Sequence, residues 1–215
     1  VTDPDHRRQT RTGYDVVAED YAILMPGLSA ETSLDVAMID EFAGRCLDVR
    51  MGPVADVGCG TGRVGAHLAA RGVDVFGVDL SPGMIDVARR THPQLRFEVG
   101  EAEDLPIQDA ALGGLLSWYS LIHTAPDRLP ALVSEFARVL MPGAWLLTAF
   151  QAGEGQRVER STAYGHTVTM TNYRHAAQHV ISVLETGGFN LHTQLHRSPE
   201  GVETTDQAVL LACRR

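Results

Sequence analysis

The sequence predicts one α/β domain built on a mostly parallel, seven-stranded sheet with helices on both faces. Short β-branched runs alternate with amphipathic stretches along most of the 215 residues, the pattern of strands joined by crossover helices. A glycine-rich turn follows the first of those runs directly. No tract between elements has the composition of a linker, and a chain of this length favours one sizeable core over two.

Strands are expected over residues 54–57, 73–78, 95–99, 112–118, 144–150, 191–197 and 208–212. A helix over 62–71 carries Val64, Leu68 and Ala69 on one face and stops at Gly72. The helix over 82–90 has Ser81 as N-cap and Pro82 at its first position. Two more are expected over 127–140, ending against Pro142-Gly143, and over 171–186, ending at Gly187-Gly188. The first fifty residues read as a helical cap. Residues 12–24 place Tyr14, Val17, Ala18 and Tyr21 at helical spacing. Residues 32–49 do the same with Leu34, Met38, Phe42 and Cys46, and Thr32 and Asp35 can form a capping pair. Residues 151–170 are polar and contain glycine, as a loop or hairpin covering one end of the sheet would.

Composition narrows the function. Hydrophobic residues make up 44% and charged residues 21%, and no apolar run approaches the ~20 residues of a membrane span. The first ten residues are polar and lack the apolar core of a signal peptide, so a cytoplasmic location away from membranes is expected. A net charge of −9 repels polyanions, and Arg7, Arg8 and Arg11 fit a solvated helix face, so nucleic acid is not an expected partner. Cys46, Cys59 and Cys213 lack CxxC spacing, which argues against disulfides and a zinc site.

The most informative stretch is P-V-A-D-V-G-C-G-T-G-R-V-G, residues 53–65: an apolar strand, a glycine-rich turn and a helix start. Glycines there allow a sharp turn and a close approach of a ligand to the main chain. The next strand ends in Asp79, where a Rossmann-like fold uses an acid to accept hydrogen bonds from the ribose hydroxyls of a nucleoside cofactor. Gly60 to Gly65 also satisfies the dinucleotide pattern G-x-G-x-x-G. Two details weigh against NAD. Asp56 precedes the first glycine, and the run begins already at Gly58, which suits a ligand without a pyrophosphate.

These motifs together resemble the class I S-adenosylmethionine-dependent methyltransferases of the small-molecule type. D-V-G-C-G-T-G-R (56–63) is similar to that family's first motif and V-F-G-V-D-L-S-P-G-M-I-D-V-A-R (75–89) to its second. F-E-V-G-E-A-E-D-L-P-I (97–107) resembles the adenine-binding segment, L-L-S-W-Y-S-L-I-H-T (115–124) the fourth-strand segment, and E-F-A-R-V-L-M-P-G-A (135–144) the helix and turn before the fifth strand. The resemblance covers residues 12 to 150. It implies that Asp56, Gly58, Gly60 and Gly62 surround the methionine end of S-adenosylmethionine and that Arg63 meets its carboxylate. It places Asp79 on the ribose, Leu80 and Met84 against the adenine, Glu101 by the adenine amino group and Ala102 with its backbone amide beside it. Ser117 falls near the methionine moiety, and Tyr14 and Tyr21 match a Y-D-x-V-A-x-x-Y-A helix that covers the cofactor. Two departures bear on packing: Ala144 replaces the second glycine of a P-G-G turn, and Gly113-Gly114 replaces a common Phe-Asp.

Methyl transfer is an in-line displacement that needs alignment and a dry site, and many acceptors need no protein base. No N/D-P-P-Y/F/W tetrapeptide is present; Ser117-Trp118-Tyr119-Ser120 stands in its place. Trp118, Tyr119 and Tyr164 are the expected acceptor-binding residues. His123, beyond the fourth strand, and His166, in the covering segment, are the candidate catalytic bases. His6, His67, His92, His192 and His196 read as surface or structural residues. His175 and His179 have helical metal-ligand spacing without a third ligand, so no metal is expected. The reading is a methyltransferase for a small organic acceptor with an O, N, S or C nucleophile, with secondary metabolism one setting and a homo-oligomer left open. Its product would be S-adenosylhomocysteine. The rivals are an NAD-dependent oxidoreductase and a protein that binds the cofactor without turnover.

Overall fold

The computed structural model describes residues 4–49 and 51–215; residues 1–3 and Arg50, parts of the expected N-terminal cap, lie outside the described residues. The sheet centres on β1 (Val54–Val57), four residues buried on both faces, as a strand covered by helices on each side must be. β1 pairs in parallel with β2 (Val75–Asp79) and with β4 (Leu112–Trp118), and β2 pairs in parallel with β3 (Arg96–Val99). On the far side β4 pairs in parallel with β5 (Leu140–Gln151), and β5 is antiparallel to the last strand of the chain. That strand (Gln207–Arg214) and a neighbour (Phe189–Arg197) finish the sheet. With a hairpin of β6 (Gln156–Ala163) and β7 (His166–Arg174) between, they are β9 and β8, and the order is β3-β2-β1-β4-β5-β9-β8.

Alternate residues of the central strands feed two cores. Ala55, Leu115 and Leu146 pack with Leu132 and Phe136 of α5 (Leu129–Val139) and Val180 and Leu184 of α6 (Ala177–Thr186). Val54, Leu116 and Leu147 pack with Ile39 and Phe42 of α2 (Ser33–Val49) and Leu68 of α3 (Arg63–Ala70). Both faces are therefore sealed, and the strand ends are left as the place for a ligand.

The caps expected from sequence form. Ser81 accepts from the Met84 N–H at 3.0 Å at the start of α4 (Pro82–Thr91). Asp35 accepts from the Thr32 N–H at 3.0 Å, while its own N–H donates to the Thr32 hydroxyl at 3.3 Å. The first helix, α1 (Pro4–Leu24), begins earlier than residue 12. Its Asp15 carboxylate accepts from the Ser81 hydroxyl at 2.6 Å and the Gly83 N–H at 2.9 Å, an anion on the N-terminal turn of α4.

Two expected helices are corrected. Residues 171–174 belong to β7, not to a helix over 171–186. Thr171 and Asn172 pair with Glu159 and Val158 in the hairpin ladder, and those hydrogen bonds outweigh the N-cap signal at Thr171. His175 therefore precedes α6, where its buried Nε2 lies 3.1 Å from the Leu121 carbonyl oxygen, and it shares no helix face with His179. The stretch 127–140 divides into a 3₁₀ turn (Pro126–Arg128), α5, and Leu140, which opens β5 opposite Leu112.

Gly113-Gly114 is explained by what packs against it. A Cβ on Gly114 would lie 2.7 Å from Cys46 Sγ and 3.2 Å from Phe42, so α2 occupies the volume a side chain would need. Gly114→Ala is accordingly expected to destabilise the fold by about 1–3 kcal/mol, an overpacking cost that outweighs any gain in strand propensity. Denaturant melts compare the two proteins, and an unchanged or raised midpoint would contradict this packing.

Candidate active site

The carboxyl ends of β1, β2 and β4 open into a cavity of about 1320 Å³ at the point where the chain crosses from one side of β1 to the other. This is where open α/β sheets bind ligands. Val57 and Gly58 line it from β1, Val78 and Asp79 from β2, and Trp118 and Tyr119 from β4.

The turn after β1 needs its glycines. Gly58 has φ +77° and Gly60 φ +53°. A Cβ on Gly58 would collide with the Ser120 side chain, whereas one on Gly60 would stand in the cavity 4.0 Å from Met84 and Tyr21. Asp79 secures this turn: Oδ2 accepts from the Gly60 N–H at 2.7 Å and Oδ1 from the Ser81 N–H at 2.8 Å. Burial raises the Asp79 carboxyl above its usual range, and those N–H groups oppose the rise. Leu80, Met84, Glu101 and Ala102 continue the wall, with Glu101 ion-paired to Arg7 of α1.

Three of the expected cofactor residues do not line the cavity: Asp56, Gly62 and Ser117. Asp56 is buried behind the turn, where Oδ2 accepts from the Gly65 N–H at 3.1 Å, and burial pushes its carboxyl up to about 7. Ser117 is enclosed within β4. Arg63 does line the cavity, but Glu31 answers its charge at 2.6 Å, with the Gly27 carbonyl at 3.1 Å and the Tyr21 hydroxyl at 3.3 Å. The same Glu31 carboxylate accepts from Trp118 Nε1 at 3.1 Å.

α1 and the hairpin supply the opposite wall. Tyr14 and Tyr21 come from α1 and Tyr164 from the hairpin turn, where the Tyr21 and Tyr164 rings meet edge-on at 5.0 Å. Burial pushes the Tyr164 hydroxyl up to about 12. His123 Nε2 lies 2.8 Å from the Tyr14 hydroxyl, and Nδ1 lies 3.5 Å from the Thr171 carbonyl oxygen. A carbonyl only accepts, so this arrangement favours the proton on Nδ1 and leaves Nε2 to accept from Tyr14. His123, a candidate base, is thus corrected to a ring held neutral, because burial lowers it to about 4 and its Nε2 lone pair is engaged. His166 is corrected as well. It does not line the cavity, and its Nε2 sits 2.6 Å from the Asp20 carboxylate, joining hairpin to α1.

Sequence reading missed Thr10, Glu31, Arg160, Asn172 and Arg197, all of which line the cavity. Thr10 stands one helical turn before Tyr14 on α1, a spacing that could have revealed it. Arg160 and Asn172 are placed by the hairpin ladder, and Glu31 and Arg197 by ion pairs between distant segments.

Residues 54–143 match the family described as a methyltransferase domain. The chain is 39% identical over 128 residues to the biotin biosynthesis bifunctional protein BioHC of Cellvibrio japonicus, an alignment covering 58% of this chain and 24% of that protein. It is 31% identical over 170 residues to the O-methyltransferase cnsE of Penicillium expansum, covering 68% of this chain and 60% of that one. The chain thus spans less than two thirds of either relative. Among solved structures, magnesium protoporphyrin IX methyltransferase from Synechocystis PCC 6803 with bound S-adenosylmethionine superposes over 100% of both chains with a TM-score of 0.73 at 17% identity. Residues 54–143 thus match a methyltransferase domain, and the chain is similar to methyltransferases in sequence and in fold. The order of its sheet and the cavity at the switch point fit that similarity. Among the described residues, no three His, Cys, Asp or Glu side chains cluster as a metal site would.

The lowered pKa of His123 has a thermodynamic consequence. The unfolded chain takes up this proton near pH 6.5 and the folded one near pH 4, so the stability contributed by neutral His123 is present above about 6.5 and lost as pH falls toward about 4. The stability of the native protein relative to His123→Asn is expected to fall across that window. Melting temperatures at pH 7.5, 6, 5 and 4.5 read the difference, and a constant difference would contradict burial of the neutral ring.

Proposed function

We propose that this chain binds S-adenosylmethionine and transfers its methyl group to a small organic acceptor, releasing S-adenosylhomocysteine. The observation that carries the reading is Asp79, held by Gly60 and Ser81 at the mouth of the cavity, with lone pairs left for ribose hydroxyls. In this proposal Gly58 and Gly60 pass closest to the methionine end. Asp56, Gly62 and Ser117 support that end from behind, and Arg63 bounds it as an ion pair with Glu31. Leu80, Met84, Glu101 and Ala102 enclose the adenine. Trp118, Tyr119 and Tyr164 form the acceptor side.

When bound, the cofactor supplies an electrophilic methyl on a sulfonium. The chain's own groups align the acceptor with it and exclude water. For an acceptor that must lose a proton, the Tyr14 oxygen can take it while the Tyr14 proton passes to Nε2 of His123, whose Nδ1–H is held by Thr171. We place α1 and the β6–β7 hairpin, joined through His166 and Asp20, as a cover on a single catalytic domain. A cytoplasmic enzyme without a nucleic-acid partner completes the proposal. No helix among the described residues is long and apolar enough to cross a membrane.

Asp79→Ala should weaken S-adenosylhomocysteine binding by at least about tenfold in a protein that still folds, since two charge-assisted hydrogen bonds are worth roughly 1.5–3 kcal/mol each. Isothermal titration reads the affinity, and an unchanged value would remove Asp79 from the site. NAD in the same titration separates the oxidoreductase reading. Gly60→Val places a branched side chain in the cavity at a left-handed backbone position and should abolish that binding. Amide exchange in α1 and the hairpin should slow when S-adenosylhomocysteine binds, and identical exchange with and without ligand would refute the cover.

A further inference from the structure

Six arginines line the cavity: Arg7, Arg63, Arg128, Arg157, Arg160 and Arg197. Five have carboxylate partners. Arg7 pairs with Glu101, Arg63 with Glu31, Arg128 with Glu103, Arg157 with Glu159, and Arg197 with both Asp35 and Glu203. Arg160 has no such partner among the described residues. Carboxylates answer the other five guanidinium groups, so among the described arginines of the cavity Arg160 alone is unpaired, and it sits on the hairpin wall.

Two unsatisfied polar groups share that wall. Asn172 is 5% exposed and its Oδ1 has no hydrogen-bond partner; Thr10 is 6% exposed and its Oγ1 has none. Buried polar groups without partners are uncommon in folded proteins, and both of these line the cavity, where a ligand can reach them. The backbone brings the three together. Arg160 pairs with Met170 in the hairpin ladder, and Met170 and Asn172, two residues apart on β7, share the face that packs on Gly13 of α1. Thr10 lies one turn from Tyr14 on that helix, and the Arg160 charge acts on Tyr14, His123 and Tyr164.

We propose that Arg160, Asn172 and Thr10 form an acceptor subsite for a carboxylate, so that the methyl acceptor is a small organic acid. This rests on the cofactor reading above. The guanidinium fork of Arg160 matches a carboxylate in two parallel hydrogen bonds. The Thr10 hydroxyl and the Asn172 amide complete the ring of donors, and a hydroxyl on the same acceptor would satisfy Asn172 Oδ1. The subsite adjoins the Tyr14–His123 pair, which puts the rest of the acceptor within reach of that pair.

The test uses the full chain loaded with S-adenosylhomocysteine. Benzoate, 4-hydroxybenzoate, phenylacetate and hexanoate are titrated, each against its primary amide, by isothermal titration. At least one carboxylate should bind about tenfold or more tighter than its amide, the gain expected of a bidentate charged pair. Arg160→Gln should bring that pair within about threefold while S-adenosylhomocysteine affinity stays within about twofold, and Arg157→Gln, whose charge already has a partner in Glu159, should keep the preference. No preference in any pair, a preference that survives Arg160→Gln, or one that Arg157→Gln removes equally would overturn the subsite. Loss of S-adenosylhomocysteine binding by the unaltered protein would instead overturn the cofactor reading and the subsite with it.

Discussion

The cavity depends on one carboxylate. Asp79 stands at the end of β2 and accepts hydrogen bonds from two backbone N–H groups, one in the turn after β1 and one at the start of α4. These are charge-assisted bonds to fixed main-chain donors, stronger than neutral ones and less costly in side-chain entropy than a pair of long side chains. They hold Gly60 in its left-handed conformation and align two loops that belong to successive strand–helix units. Asp15 repeats the device one layer out, binding α1 to the same helix terminus. The floor of the site and its N-terminal wall thus share a common anchor at the start of α4.

Charge pairing shapes the remaining walls. A buried ion is tolerable only when paired and hydrogen-bonded, and the network around Glu31 meets that condition by engaging Arg63 and Trp118 together. Arg197 does the same at the other end. It makes a two-point contact with Asp35 at 3.1 and 2.7 Å and another with Glu203. Since Asp35 also caps α2, this contact fixes the N-terminal end of α2 to β8 across 162 residues of chain. Arg160, by contrast, has no carboxylate partner among the described residues.

The Tyr14–His123 pair shows how enclosure changes the chemistry expected of a residue type. An exposed imidazole shares its proton near neutral pH; this one is held neutral, with one nitrogen turned to a carbonyl and the other to a phenol. It is a weak base in the resting protein. Acceptors that arrive ionised make the smallest demand on such a pair.

The sequence by itself determined the doubly wound sheet, the glycine turn and the acid at the end of β2. It also marked the caps at Ser81 and Thr32. Each is legible because it rests on local rules: short β-branched runs between helical stretches, turn conformations open to glycine, and capping within four residues. Tertiary structure alone decided that residues 171–174 extend the hairpin, since a ladder partner some dozen residues away overrode a local helix signal. It also withdrew Asp56 and Ser117 from the cavity wall, turned His166 toward Asp20 and His123 toward Tyr14, and brought Thr10, Arg160 and Asn172 to one wall. Hydrogen-bond partners separated by a hundred or more residues, such as Tyr14 and His123, are chosen by how the helices and hairpin pack, and no local pattern in the chain records that choice.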